Sequence, residues 1–359
     1  MRGYIRTALA WSTSILAWVL VLPALLPAVV IRTVSRVAAL AGQAVEPPHS
    51  SWPELMRFHP ELGWKPQPNQ NTYCETAHDP ELFHVVTDPD GWPGLLTVEE
   101  SDVIVVGDSL AFGYAVDHAQ SFANKAGTLR VKGVGAPGYN LVQEVILMRL
   151  LGPSLSGKPV IWIVYYGNDL YDNLSPQMRG YRTPFVRRSP TSGDWEIVTS
   201  HVTSAPWLAS EGRHRRGRHR SILDSLHRPN PFSSRAYSAS RFLLQEAKTI
   251  CSLHGASLIV FAAPSPLHLR HPNQNTSQAH IKREDYTGVE VPDRAFAEMC
   301  EELGIPLIKG SEWLTREHFR RTDDHWNVRG HDRVAELVQE AYRKHGHISD
   351  PVSDRVRVE

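Results

Sequence analysis

Three apolar runs stand out after residue 100: Asp102–Val106 (DVIVV), Val160–Tyr165 (VIWIVY) and Ser257–Ala262 (SLIVFA). Each is short and rich in β-branched or aromatic residues, the pattern of a strand buried on both faces. Between them, apolar positions recur at helical spacing. Leu141–Leu151 reads as a helix, Ala236–His254 as a second stopped by Gly255, Asp293–Leu303 as a third before Gly304, and Val328–His345 as the last. Leu129–Val134 and Ile305–Ile308 read as lesser strands. Strands separated by helices predict a three-layer α/β/α fold with a mostly parallel central sheet.

The first 100 residues do not follow that alternation. Residues 8–31 carry no charge (ALAWSTSILAWVLVLPALLPAVVI) and are long enough to cross a bilayer as a helix kinked near Pro23 and Pro27. A cleaved signal peptide would have a shorter apolar region and a nearby small-residue cleavage site. The segment 1–45 is therefore read as an N-terminal transmembrane helix and its juxtamembrane stretch. Arg2 and Arg6 precede the span, Arg32 and Arg36 follow it, and the terminal amine tips the balance to an inside N-terminus. That would make a single-pass membrane protein with its main domain on the extracytoplasmic side. Residues 46–100, rich in Pro, Trp, His and Asn, read as an irregular lead-in held by Trp52, Trp64 and Trp92. The main domain is placed at 101–348, with an insertion at about 174–233 lying over the carboxyl ends of the strands. Residues 349–359 read as a flexible tail.

Composition narrows the function classes. Lys plus Arg and Asp plus Glu both number 38, and 42% of the residues are hydrophobic. A disordered chain and a globally basic nucleic-acid binder are excluded. One strongly basic block interrupts the balance: Arg213, Arg215, Arg216, Arg218 and Arg220 within RHRRGRHR. It is either a solvated loop or a contact for an anionic surface such as lipid head groups.

Three clusters carry candidate chemistry. Gly107-Asp108-Ser109-Leu110 follows the first strand, where a serine hydroxyl would sit at the sheet's carboxyl edge beside helix N-terminal N–H groups. It does not complete the G-x-S-x-G elbow, because Ala111 holds the last position. Tyr166-Gly167-Asn168-Asp169 follows the second strand, and a neutral asparagine amide suits an oxyanion donor. Asp323-Asp324-His325-Trp326-Asn327 precedes the last helix and supplies a histidine beside carboxylates, the elements of a general base and its orienting acid. Each cluster alone fits an ordinary turn or cap equally well.

Together, in this order, the clusters resemble the SGNH (GDSL) hydrolase family. Val134-Gly135-Ala136-Pro137-Gly138-Tyr139-Asn140 is similar to that family's second block, and Gly330-His331 continues the last. The likeness runs from about Ser101 to His345 and implies a flavodoxin-like sheet order. It also implies Ser109 as nucleophile, His325 as base, and an oxyanion hole made by the Ser109 and Gly138 backbone with the Asn168 side chain. Two positions depart from the family's pattern: Tyr166 stands for a glycine, and Thr322 stands where the acid usually precedes histidine by three. The form D-x-H-W is similar to that of SGNH-like alginate O-acetyltransferases, which assigns Asp323 as the acid with Asp324 as its competitor. The resemblance implies an esterase acting on acyl esters of a cell-envelope glycan or lipid, without cofactor or metal. An O-acyltransferase and a catalytically silent glycan-binding module are the alternatives.

Other conspicuous residues have structural readings. Cys251 and Cys300, near the ends of two helices, are either a disulfide or buried free thiols. Cys74 has no His/Asn arrangement pointing to it. His268, His271 and His280 lack carboxylate or thiol partners at ligand spacing. Tyr171, Asp172 and Asn173 follow the asparagine cluster as polar loop or cleft lining.

Overall fold

The apolar runs form the middle of one parallel sheet, and their alternate side chains face two separate cores. The computed structural model describes residues 49–50, 52–76, 81–178, 181–204, 230–266, 269 and 290–346. The chain divides into Met1–Pro48 and His49–Glu359. The uncharged run 8–31, the arginine block 213–220, the histidines 268, 271 and 280 and the tail 349–359 lie outside the described residues. Among the described residues no helix is long and apolar enough to cross a membrane.

After a two-residue strand (His49–Ser50) and one helical turn (Trp52–Leu55), the chain forms a hairpin, β1 (Met56–His59) and β2 (Gly63–Pro66), and an antiparallel pair, β3 (Asn71–Glu75) and β4 (Leu82–Val86). Then follow β5 (Val103–Gly107), α1 (Ser109–Phe112), α2 (Phe122–Lys125), β6 (Val131–Gly135) and α3 (Leu141–Leu151). After β7 (Pro159–Tyr165), the short α4 (Asp169–Asp172) and a two-residue antiparallel pair (Gln177–Met178 with Tyr181–Arg182) comes a further hairpin, β8 (Phe185–Arg188) and β9 (Trp195–Val198). The chain continues through α5 (Pro231–Leu253), β10 (Ser257–Ala263), α6 (Glu290–Leu303), β11 (Leu307–Lys309) and α7 (Val328–His345).

The central sheet has the order β11-β10-β7-β5-β6 and every pair is parallel. Its even-numbered positions, among them Ile104, Val106, Trp162, Val164 and Val260, pack under α3, α5 and α6. Its odd-numbered positions, among them Val103, Val105, Ile161, Ile163 and Phe261, pack under α1, α2 and α7. This is the strand period of two written into sequence, with both faces apolar because both are covered. Each such side chain contributes roughly 1.5–3 kcal/mol relative to exposure. The chain enters the sheet at β5, moves out to β6, then crosses back to β7. The reversal falls at β5, and ligands bind at that point on the carboxyl side of such sheets.

Some boundaries differ from the sequence reading. The helix expected from Ala236 starts at Pro231, because Asn230 caps it through Phe232 N and Ser233 N and proline takes the first turn. The last strand is Leu307–Lys309 rather than Ile305–Ile308. The 174–233 segment contains strands the sequence reading left out; from the carboxyl edge they pack against α3 and α5, where the Trp195 Nε1 donates to Ser238 Oγ at 3.0 Å. The lead-in is tied to the sheet by a buried ion pair, Lys132 Nζ to Asp88 Oδ2 at 2.8 Å, both side chains 1% exposed. Lys132 also donates to the Pro93 carbonyl at 2.8 Å. Trp64 and Trp92 are buried as expected. Cys74, Cys251 and Cys300 are free buried thiols, so the disulfide alternative is not realised. Burial pushes Cys251 and Cys300 up to about 12 and Cys74 up to about 11, which leaves them unreactive as thiolates near neutral pH.

Candidate active site

β5 ends at Gly107, and the chain turns at once into α1, a single turn stopped by Gly113 at φ 78°. Asp108 caps that turn: its Oδ1 accepts from Leu110 N at 2.9 Å, and its Oδ2 accepts from Ser109 Oγ at 3.3 Å. The turn needs close backbone approach, since a Cβ on Gly135 of β6 would overlap the Gly107 carbonyl oxygen. Ser109 is thereby set at the carboxyl edge with 7% of its surface exposed.

His325 comes from the loop before α7, whose start is capped by Asn327. Its Nε2 lies 2.9 Å from Ser109 Oγ. The far nitrogen, Nδ1, lies 3.4 Å from Asp323 Oδ1, and the same oxygen accepts from His325 N at 2.9 Å. The Asp323 side chain is 3% exposed and has Arg320 Nε at 3.5 Å on its other oxygen. Arg320 is itself fixed by the Ala115 carbonyl at 3.1 Å and Glu81 at 2.8 Å. The Tyr114 ring rests against the imidazole with centroids 4.5 Å apart. Burial works to raise the Asp323 pKa, but the His325 ring and backbone N–H and the Arg320 charge together hold it below the usual carboxylate range. Among the described residues no ion pair joins Asp324 to His325; the Asp324 charge adds to burial in raising the Tyr165 hydroxyl pKa.

Gly138 and Asn168 occupy matching places on either side of Ser109. Gly138 is three residues past β6 and Asn168 three past β7, and these are the two strands that flank β5. Gly138 has φ 83°, a backbone conformation that favours glycine. Asn168 directs its Nδ2 to Asp172 Oδ2 at 3.4 Å, while its carbonyl caps α4 through Tyr171 N and Asp172 N. Asn140 joins the two loops by donating to the Asp172 carbonyl at 3.3 Å. Of the residues read as polar loop or cleft lining, Asp172 sits behind Asn168 and Asn173 is fully buried. Tyr166 fits where a glycine was expected because its ring enters the core beside Phe296 and its hydroxyl donates to Asp293 at 3.0 Å. His331 is buried against Phe122, its Nδ1 accepting from Phe122 N at 3.3 Å. Burial, then the Lys125 and His325 charges, push it down to about 3, so it is a neutral structural acceptor. Among the described residues no group of three His, Cys, Asp or Glu side chains is placed to hold a metal ion.

Sequence reasoning missed a floor of buried carboxyl groups under the serine. Glu144, in the first turn of α3, accepts from Trp162 Nε1 at 2.6 Å, and Asp169 accepts from Tyr165 N at 2.6 Å. Burial raises Asp108, Glu144 and Asp169 alike, and the groups reinforce one another: Asp108 raises Glu144, and Glu144 raises Asp169. Glu144 and Asp169 are thus held protonated well above the usual carboxylate range. A raised acid stabilises the fold fully below its unfolded pKa of about 4.3 and loses that contribution as pH climbs through its folded pKa. Glu144→Gln keeps an acceptor for Trp162 and has no proton to lose. Its melting temperature relative to wild type is therefore expected to rise between pH 5 and pH 8. Parallel melting curves across that range would remove Glu144 from the protonated floor.

No family model matches the sequence, and no curated protein matches it. Solved structures are similar to the chain at low identity. A lipolytic protein of the G-D-S-L family from Veillonella parvula is 12% identical over 67% of this chain and 98% of its own, with a TM-score of 0.34. An acetyl xylan esterase from Butyrivibrio proteoclasticus is 10% identical over 75% of this chain and 74% of its own, with a TM-score of 0.37. These likenesses assign no activity to the chain.

Proposed function

We propose that the chain is a serine esterase that cleaves acyl esters through an acyl-enzyme on Ser109. The observation that carries this is the contact of Ser109 Oγ with His325 Nε2 at 2.9 Å, with Asp323 behind the other ring nitrogen. With its proton on Nδ1 facing Asp323, the imidazole presents a lone pair to the serine and accepts its proton as Oγ attacks the ester carbonyl. The Ser109 and Gly138 N–H groups and the Asn168 amide are the proposed donors to the oxyanion. Each such donor is worth roughly 10²–10³ in rate. His325 then passes the proton to the leaving alcohol, and water, activated by the same imidazole, releases the acid. In the same reading the substrate is an ester of a cell-envelope glycan or lipid, and residues 8–31 anchor the chain in the membrane.

A fluorophosphonate probe tests both parts. It should label the full-length chain in the membrane fraction, the label should be lost in Ser109→Ala, and the labelled band should resist alkaline extraction. Labelling that survives Ser109→Ala would sink the nucleophile assignment, and a freely soluble labelled band would remove the anchor.

A further inference from the structure

The imidazole and its carboxylate are each reached from the lead-in by a separate line of contacts. On the ring side, Phe83 of β4 meets Tyr114 edge-on with centroids 5.0 Å apart, and Tyr114 lies 4.5 Å from the His325 ring. Phe83 and Tyr114 are buried in one small apolar cluster with Leu55, Cys74 and Ala115. On the carboxylate side, Glu81 Oε2 accepts from Arg320 Nη2 at 2.8 Å, and Arg320 Nε faces Asp323 Oδ2 at 3.5 Å. Glu81 and Phe83 are close neighbours in sequence, yet their contacts end on the two members of the His–Asp pair.

Arg320 does more than counter a charge. Asp323 Oδ2 is buried and accepts no hydrogen bond among the described residues, so a guanidinium is what faces it. Arg320 Nη1 donates to the Ala115 carbonyl at 3.1 Å. Ala115 has φ 69°, a conformation that side chains other than glycine's rarely adopt, and it lies just past the helical turn that begins at Ser109. Such backbone strain persists only where the surroundings hold it. One planar fork therefore ties the loop after the serine to the loop before α7 and to the lead-in. Fixed donor geometry suits that task, and a single ammonium does not.

We propose that Arg320 is a positioning residue and that Glu81 supports it, so that the lead-in helps to orient and charge-balance the Asp323–His325 pair; this rests on the esterase reading. Arg320 acts through Asp323, the carboxylate that orients the imidazole. Its fork holds that carboxylate in place, and its charge offsets part of the carboxylate's pull on the ring. Removing the Arg320 charge leaves Asp323 to act on the imidazole undiminished, which favours the imidazolium. Removing the Glu81 charge leaves Arg320 less neutralised, which disfavours it. Asp108 beside the serine and His331 of α7 also face the imidazole's charge; both are buried and are the same in every variant. Asp117 lines the recess beside Glu81 and Arg320, its Oδ1 accepting from His84 N at 2.8 Å.

The test is the pH profile of kcat/KM for p-nitrophenyl acetate, whose acidic limb reports the free enzyme's base, in full-length wild type, Arg320→Gln, Arg320→Lys and Glu81→Gln. Arg320→Gln should lower kcat by roughly ten- to a hundredfold with KM within about twofold, and move the acidic limb up by about half a pH unit or more. The Glu81 side chain is 67% exposed and glutamine keeps an acceptor for Arg320, so Glu81→Gln should fold as wild type does. Its limb should move down, by less, because solvent screens the lost charge. Arg320→Lys keeps the charge without the fork, so its limb should stay near that of wild type while kcat remains several-fold lower. Limbs that stay in place, or that move the same way in Arg320→Gln and Glu81→Gln, overturn the proposal, as does wild-type kcat in Arg320→Gln. Should Arg320→Gln fail to fold, the Glu81→Gln and Arg320→Lys limbs decide alone. The His325 ring titration, followed by NMR in the resting protein and assigned by its loss in His325→Ala, needs no turnover. Opposed displacements there without Ser109-dependent turnover would keep the Arg320 arrangement and end the esterase reading. Unmoved titrations beside Ser109-dependent turnover would reject the positioning role and leave the esterase reading standing.

Discussion

Ser109→Ala and His325→Ala are each expected to lower kcat for p-nitrophenyl acetate by roughly 10⁴–10⁶-fold, with the double variant no slower than the worse single one. The size follows from the geometry. The 2.9 Å contact makes serine and histidine one device, since the hydroxyl is a poor nucleophile until the imidazole takes its proton, and the imidazole has nothing to activate without the hydroxyl. In the proposed mechanism, removing either leaves only the proposed oxyanion donors and substrate binding, and removing both removes nothing further. Ser109→Ala deletes one oxygen and leaves the Asp108 cap to Leu110 N in place, so the variant should melt close to wild type. A Glu144→Gln control tests whether loss follows the serine or merely any change at the sheet edge. If the Ser109 and His325 losses multiply in the double variant, the two act independently and the shared proton transfer is wrong. Wild-type rates in both single variants would end the esterase reading.

The parts of the fold legible in the sequence were those where one physical signal dominates. β5, β7 and β10 are apolar on both faces because both faces are covered, so their runs stood out. α3 and α7 were bounded correctly because Asn140 and Asn327 cap them and their apolar residues recur at helical spacing. The start of α5 was missed although Asn230-Pro231 is a strong cap, because it follows a long polar stretch that masked it. β11 is only three residues long and half-buried, too little for its register to show.

The candidate site divides the same way. Ser109 and His325 were legible because chemistry fixes residue types at short spacings. Glu144 was not: in LVQEVILM it reads as the solvent side of a helix, and only the fold shows it fully buried against Trp162. Arg320 and Tyr114 act through contacts spanning roughly 200 residues of chain, which no local pattern records.

Asp323→Asn is expected to reduce kcat by roughly 10³–10⁴-fold, whereas Asp324→Asn should stay within about threefold of wild type. The difference rests on which carboxylate meets the ring. The Asp323 side chain is 3% exposed, 3.4 Å from His325 Nδ1, and bonded to the His325 backbone; Asp324 makes no such ion pair among the described residues. A carboxylate accepts from Nδ1–H and so leaves Nε2 free as a base. An asparagine can offer N–H there instead, which favours the tautomer with its proton on Nε2, pointing a donor at Ser109 where an acceptor is required. The backbone contact at 2.9 Å loses strength with the charge as well, loosening the loop that positions the ring. Because the Asp323 pKa is held below the ordinary range, its charge persists as pH falls. Its contribution to stability is present above the unfolded pKa of about 3.9 and lost only on acidification through the lower folded value. Wild type and Asp323→Asn should therefore differ in melting temperature by a constant amount from pH 5 to pH 8, while their rates stay far apart across that range. A constant stability gap with equal rates would make Asp323 a fold residue only. A large loss in Asp324→Asn with little in Asp323→Asn would move the orienting role to Asp324, and with it the direction from which the imidazole is held.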